Sequence, residues 1–473
     1  MSSFIRVLLL LATIGWCDLV NAQALRPGAA KPKVTVPVNP ELEAKLAQTD
    51  NLPALLGLAA NFESKGDFQS QVSVFNRVLE LRPMAGNIRF ELAAAYAQLN
   101  DKRNTYDLLL KLQTSGYAFD PSTDERFEKA HGTEAWDYIV LNLQANAKAF
   151  GEGKVAFTLV ADDRLLETLA YDAKRQQFLL GSMRDGAVYR LGKDGKTLEP
   201  FITANAENQL RSVLAMQADN AHGQLWVTAT GLPYFKGIDQ NDYGKTALYQ
   251  FDLASGKLLK RYELPIANGP HRFDYVHVSQ QGRVYVADST QKRIYQLEDA
   301  GLKLIMQNPK LSHVRGMASS DDGRILYFAD TELGIFGIDL EQGKPLVISG
   351  PDTLTLFGID GMVYWQGHLI VIQNAFPPSR VMRLKLDASG TRITSSMPLD
   401  AAQPEFAAPT HGVLVDAALY FIANSQLGQY DRYGSPINQS KLADVKIWKS
   451  DARFALNKTL DAQSIPITPA PAK

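Results

Sequence analysis

Two neighbouring stretches decide the fold: FDYVHVSQQGRVYVADSTQKRIYQL at 273–297 and VRGMASSDDGRILYFADTELGIFGIDL at 314–340. Each opens with a short apolar run, turns at QQG or DDG, and continues into a second apolar run ending in Ala-Asp. A polar corner and a third amphipathic run follow. Apolar residues at every second position mark half-buried strands, and Gly beside Asp or Gln marks the tight connection between them. The same plan returns at 165–191, 212–231, 357–387 and 410–433. With Glu167, Ser212, Asp274, Arg315, Asp360 and His411 as equivalent starts, the intervals are 45, 62, 41, 45 and 51 residues. That spacing suits one four-stranded blade. Six blades closing into a ring leave no long open sheet edge. The expected fold is mainly β, a six-bladed β-propeller over 151–455. Either KVAFTL (154–159) or DVKIWKS (444–450) is expected to complete the ring.

Upstream the apolar period changes from two to that of a helix. ELEAKLAQ, LPALLGLAANFESKG, FQSQVSVFNRVLEL, NIRFELAAAYAQL and KRNTYDLLLKLQ place apolar residues at i, i+3 and i+4, punctuated by Gly66, Pro83 and Gly116. Ala59 and Ala93 lie 34 residues apart, as do Phe62 and Tyr96. Small residues at that period let helices approach while the aromatics fill the next layer. The region 41–150 therefore resembles a tetratricopeptide-like pair, with a degenerate third unit in DERFEKA and TEAWDYIV. Two uses are open to it: a concave surface for a protein or peptide partner, or an appendage packed on the propeller.

The flanks read as processing and linker sequence. Arg6, the apolar run Val7 to Trp16 and the small-x-small site Val20-Asn21-Ala22 form a signal peptide over 1–22, which places the mature protein in the periplasm or outside the cell. The run is too short to span a bilayer, and cleavage after Ala22 would remove Cys17, the chain's one cysteine. Residues 23–40 are a Pro-rich linker, and 456–473 are expected to be a disordered tail. Over 473 residues, 49 Lys+Arg balance 50 Asp+Glu. That balance argues against a nucleic-acid partner or a polybasic membrane surface. The chain carries no H-E-x-x-H, G-x-S-x-G or phosphate-binding G-x-x-x-x-G-K-[ST].

Chemistry is expected at the channel mouth, where the first strand of each blade begins. Glu167, Ser212, Asp274, Arg315, Asp360 and His411 form the expected ring. Three carboxylates on one axis raise each other's pKa unless a cation joins them, and that cation is a metal, a ligand or Arg315. The ends of the second strands add Ser182, Asp288, Asp330, Asn374 and Asn424 as a second polar tier. Loop 231–246 is a candidate lid, and Tyr234, Phe235, Tyr243 and Phe376 are expected to rim a polar well for a small-molecule ligand. Each ring residue also has a plainer reading: Asp360 as a turn cap, Glu167 and Arg315 as a channel salt bridge, His411 and His313 as satisfied core histidines, His271-Arg272 as solvated loop.

The blade plan and the phrases LETLAYD, RVYVADSTQKRIY and GIDGMV resemble the regucalcin/gluconolactonase superfamily of six-bladed propellers. The resemblance covers residues 154–450 and implies a divalent cation, calcium or zinc, at the channel mouth and hydrolysis of lactones or related esters. It places metal ligands at Glu167 and Asp360, and puts Asp274 where the family has an Asn. The metal-binding Asn of blade four falls on Arg315, which cannot coordinate a metal. If a cation is nonetheless held by Glu167, Asp274 and Asp360, then Asp360, Asp274 or His411 takes the proton in hydrolysis. If Arg315 replaces the cation, the site binds, with Arg315, Ser212, Asn374 and Tyr234 as ligand contacts, and a carboxylate or phosphate would suit the guanidinium.

Overall fold

The computed structural model describes residues 39–264 and 269–456. The segments expected to be a signal peptide, a linker up to residue 38 and a tail from 457 lie outside the described residues. No helix among the described residues is long and apolar enough to cross a membrane.

Six antiparallel sheets are arranged as blades, and the innermost strands begin at Leu166, Ser212, Phe273, Val314, Ile359 and Thr410. Each innermost strand packs on the next, and the strand at Thr410–Val415 returns to that at Leu166–Asp172, so the ring closes. Both candidate closing segments take part. Val445–Asp451 is the third strand of the last blade, and Lys154–Leu159 pairs outside it as the fourth, so a strand from before blade one seals blade six. Asp400 clamps this closure. Its carboxylate accepts from the Gly153 amide at 2.8 Å, from Trp448 Nε1 at 3.2 Å and from the Ser450 hydroxyl. A further pair, Phe150–Gly151, extends blade five to five strands, a feature the repeat plan does not contain.

Helices occupy Pro40–Ala47, Leu52–Ser64, Phe68–Leu81, Gly86–Gln98, Lys102–Thr114 and Glu134–Asn146. Asn39, Asn51, Asp67, Asp101 and Thr133 cap five of them by accepting first-turn amides. Two helical hairpins repeat at 34 residues, with starts at Leu52 and Gly86 and at Phe68 and Lys102. Ala59 and Ala93 are buried at the close approaches. The third unit keeps its second helix, while its first is a 3-10 turn at Glu125–Ala130.

The helical unit is docked on blades four and five. Phe376 of the propeller is buried inside the helical core with Tyr117, Phe127 and Trp136, and Phe357 packs beside it. Tyr117 Oη bonds Thr355 Oγ1 at 3.0 Å, and the Ala118 amide donates to the Pro377 carbonyl at 2.9 Å. Arg380 reaches across to the carbonyls of Ser115 and Gly116, where the helix Lys102–Thr114 ends and free carbonyls attract a cation. Arg82 pairs with Glu332 at the other end of the contact. The helical region is thus packed on the propeller. Phe376 is a docking residue and not part of a ligand rim.

Candidate functional site at the channel mouth

The innermost strands share a device that no sequence pattern announces. Each carries a β-bulge near its start: the register slips between Leu166 and Thr168, Val213 and Ala215, Phe273 and Tyr275, Val314 and Gly316, Ile359 and Gly361, and Thr410 and Gly412. One residue per blade is left outside the ladder, and bulges re-aim such side chains. The six are Glu167, Leu214, Asp274, Arg315, Asp360 and His411. Five belong to the expected ring. In blade two the position is Leu214, because Ser212 is paired with Thr230 in the ladder and fully buried. The residue after the bulge is small where blades approach most closely. A Cβ on Gly316 would lie 2.7 Å from Met362 Cβ.

All five polar bulge residues act on one another electrostatically. Arg315 Nε donates to Asp360 Oδ1, and Asn374 Nδ2 donates to Asp360 Oδ2 at 2.8 Å and to the Pro409 carbonyl at 2.8 Å. Burial opposes ionisation of Asp360, but Arg315, His411 and Asn374 outweigh it and hold its pKa below the ordinary range. Burial likewise opposes the charge on Arg315, and Asp360, Asp274 and Glu167 together keep it a cation with its pKa raised. Glu167 has no such direct partner. It accepts from Ser425 Oγ at 2.6 Å, and burial pushes its pKa up to about 7 against the weaker pull of Ser425 and Arg315. His411 packs edge-on to Tyr275 at 5.0 Å between centroids, and burial followed by Arg315 pushes its pKa down to about 4, so it is neutral.

Arg272 enters this cluster as a second cation, donating through Nε to Asp274 Oδ1 at 2.6 Å. Its neighbour His271 is buried on Asp288 at 2.6 Å, so neither residue is solvated loop. Two buried polar atoms of the bulge residues are without a hydrogen-bond partner among the described residues, Asp274 Oδ2 and His411 Nε2, and Ser212 Oγ in the blade-two ladder is a third. Buried polar atoms are nearly always paired, so such a pair of orphans marks space for a water or a ligand group.

The second polar tier divides. Ser182, Asp288, Asp330 and Asn424 brace loops: Ser182 on the Arg164 carbonyl, Asp288 on His271, Asp330 on Ser312, and Asn424 between Asp444 and Lys446. Only Asn374 bonds to a ring residue. Tyr234 packs on an apolar plug in which Leu165, Met183 and Tyr430 meet Leu214 of the ring. Loop 231–246 is pinned by Arg211–Asp242 at 3.1 Å and Lys236–Asp185 at 2.8 Å. Ser425 and Leu214 lie outside the sequence reading, and Arg272, which it places in a solvated loop, joins the cluster. The Arg272-x-Asp274 spacing was its one available signal, since alternate residues of an extended strand share a face.

The implied divalent cation does not fit this donor set. Both oxygens of Asp360 are engaged, one by a guanidinium, and the blade-four ligand position carries that positive charge. Among the described residues no group of three or more His, Cys, Asp or Glu side chains is arranged to hold a metal ion.

Residues 211–332, spanning blades two to four, match the family model for major royal jelly protein. No curated protein matches the chain. Solved structures similar to it include a PQQ-bound aldose sugar dehydrogenase from Streptomyces coelicolor, at 12% identity over 64% of this chain and 99% of that one, with a TM-score of 0.43. A gluconolactonase from Xanthomonas campestris is 14% identical over 65% and 92% of the two chains, with a TM-score of 0.42. Virginiamycin B lyase from Staphylococcus aureus is 13% identical over 63% and 99%, with a TM-score of 0.40. Identities this low carry no residue-level correspondence. The chain is a six-bladed β-propeller with a helical unit docked on its fourth and fifth blades.

Proposed function

We propose that the protein is an exported binding propeller whose channel-mouth ring takes a small, neutral, hydroxyl-bearing ligand, with Arg315 standing where the resemblance implies a cation. The observation that carries this reading is the pair of unpartnered buried atoms, Asp274 Oδ2 and His411 Nε2, beside the Arg315–Asp360 pair. Asp274 Oδ2 accepts from a ligand hydroxyl, and the terminal nitrogens of Arg315 donate to an oxygen. Arg315 and Arg272 already face Asp360 and Asp274, so a further anion has no unspent positive charge to meet. The approach we assign is the groove where Ala118 and Ala147 of the helical unit face Asn374, Pro377 and Gln403, since Asn374 lines the groove and donates to Asp360 of the ring.

A second reading, lactone or ester hydrolysis, rests on Glu167, whose pKa near 7 suits a general base or acid at neutral pH. One experiment separates the two. Purified mature protein and Asp360→Ala are assayed for metal content, for hydrolysis of a lactone and ester panel, and for thermal shift with polyols and sugar lactones. Stabilisation by a hydroxylated compound, lost in Asp360→Ala and without turnover or metal, supports binding. Near-stoichiometric metal that disappears in Asp360→Ala together with turnover replaces it with the hydrolase reading. Export is tested by the N-terminal mass of protein expressed with its own leader, which should begin at Gln23.

A further inference from the structure

The channel has a second end. Below the bulge residues the innermost strands of all six blades line a cavity of about 250 Å³. Its wall is mixed: Leu169, Met216, Met317, Met362 and Val413 from five different blades give it apolar faces, between which Gln217, His277 and Ser319 bring polar groups. Tyr171 and Tyr364 are half-buried in the lining with the exposed Asn220 and Gln280, so the cavity opens on the face opposite the ring. Tyr275 divides the two ends, with its ring against His411 and its hydroxyl on the Met362 carbonyl at 3.4 Å.

Gln217 is spent on the Val278 backbone, and a second polar group bridges two blades. His277 of blade three meets Ser319 of blade four, with Nε2 and Oγ 2.7 Å apart. Burial pushes the His277 pKa down to about 4, so the imidazole is neutral and presents a hydrogen-bonding group without charge. Among the described residues no Asp, Glu, Lys or Arg lines the cavity. Outside it, Asp416 acts on Tyr171, and Asp321 and Asp322 act on Tyr364, so carboxylates stand near the opening, while the buried Asp172 is spent on Arg175 at 2.7 Å.

We propose that this lower cavity is a second ligand site, for an uncharged molecule with a compact aromatic or aliphatic body and one hydroxyl directed at His277 and Ser319. The chemistry selects that class by elimination. An anion meets the acidic opening and finds no cation in the described wall. A cation entering the wall loses its water without gaining a carboxylate, which is costly. An apolar body is favoured by the wall, and flexible thioethers adapt to its outline. The volume falls just below the range of about 300–1,000 Å³ for drug-sized ligands, which points to a smaller molecule.

The test uses the full chain and a series of neutral aromatic alcohols (phenol, 4-ethylphenol, 1-naphthol) beside 1-naphthol-4-sulfonate. Calorimetry is expected to show one neutral alcohol binding with a Kd of about 100 µM or tighter, and the sulfonate at least tenfold weaker. A diazirine-bearing phenol should label peptides containing 275–280, 317–319 or 362–364 in the unaltered protein. Ser319→Ala should weaken binding severalfold and Met317→Trp should abolish it, with circular dichroism confirming the fold of each. Failure of every neutral alcohol to bind at about 1 mM, labelling confined to other segments, or equal affinity for the sulfonate would overturn the proposal. None of the six bulge residues lines this cavity, so its occupancy is read separately from the ring's.

Discussion

Replacing Glu167 with Gln tests the electrostatics of the ring through stability alone. In the native state Glu167 titrates near 7, against an ordinary value of 4.5, chiefly because burial disfavours its charge. Between those two pH values the folded protein holds a proton that the unfolded chain has released. The free energy of unfolding therefore falls as pH rises through this window. A displacement of about two and a half pH units corresponds to about 3 kcal/mol, as an order of magnitude. The amide of Glu167→Gln carries no titrating proton, and its carbonyl still accepts from Ser425. Urea unfolding of wild type and Glu167→Gln at half-unit steps from about pH 5 to 8 isolates this contribution, because every other group cancels in the difference. The variant should gain on the wild type as pH rises, by most of that ~3 kcal/mol, with the change complete just above pH 7. A difference that stays flat, or one that grows in favour of wild type as pH rises, would refute the reasoning. The flat result is also what a Glu167 held by a cation would give, since its native pKa would lie below 4.5 and both states would be ionised throughout this pH range.

Arg315→Met leaves Asp360 buried without its cation and should cost about 3–5 kcal/mol in urea unfolding, with Arg315→Met/Asp360→Leu recovering much of the loss. Burial drives His277 and His411 to pKa values of about 4, so the stability they contribute above pH 6.5 is lost as pH falls from 6.5 towards 4. His277→Asn and His411→Asn should each flatten the acid limb of the stability profile. Asp400→Ala strands up to three donors around the closing strand, at about 1–3 kcal/mol for each one left unsatisfied. Hydrogen exchange should then rise first at 154–159. Phe376→Ala removes the propeller side chain buried in the helical core, at about 3–5 kcal/mol. Exchange in 86–146 should accelerate more than exchange in blades one to three.

Some of this was legible from residues read in order. Period-two apolar runs with Gly or Asp turns define a strand wherever they stand, and six returns of one plan imply a closed ring because unpaired edges are costly. The 34-residue offset of Ala59 and Ala93 placed two helical hairpins for a similar reason, since small residues at a fixed interval set helix spacing. Arg315 as the departure that unsettles a metal site was also visible, because a guanidinium cannot act as a metal ligand in any fold.

Other features depend on partners far away in the chain. A bulge is a mismatch between two strands, so Leu214 and not Ser212 became the blade-two ring position only once the strand 212–219 met 224–230. Ser425 reaches Glu167 across 258 residues of sequence, and Asp400 meets Trp448 and Gly153 only when the ring shuts. Phe376 reads as a loop aromatic until the helical unit covers it. The sequence by itself determined the strands, the helices and their repeats, because backbone propensity and apolar period are local properties. Which side chains pair, which remain unpartnered and which end of the channel stays open were decided by tertiary structure, because burial and charge neutralisation exist only between segments that folding brings together.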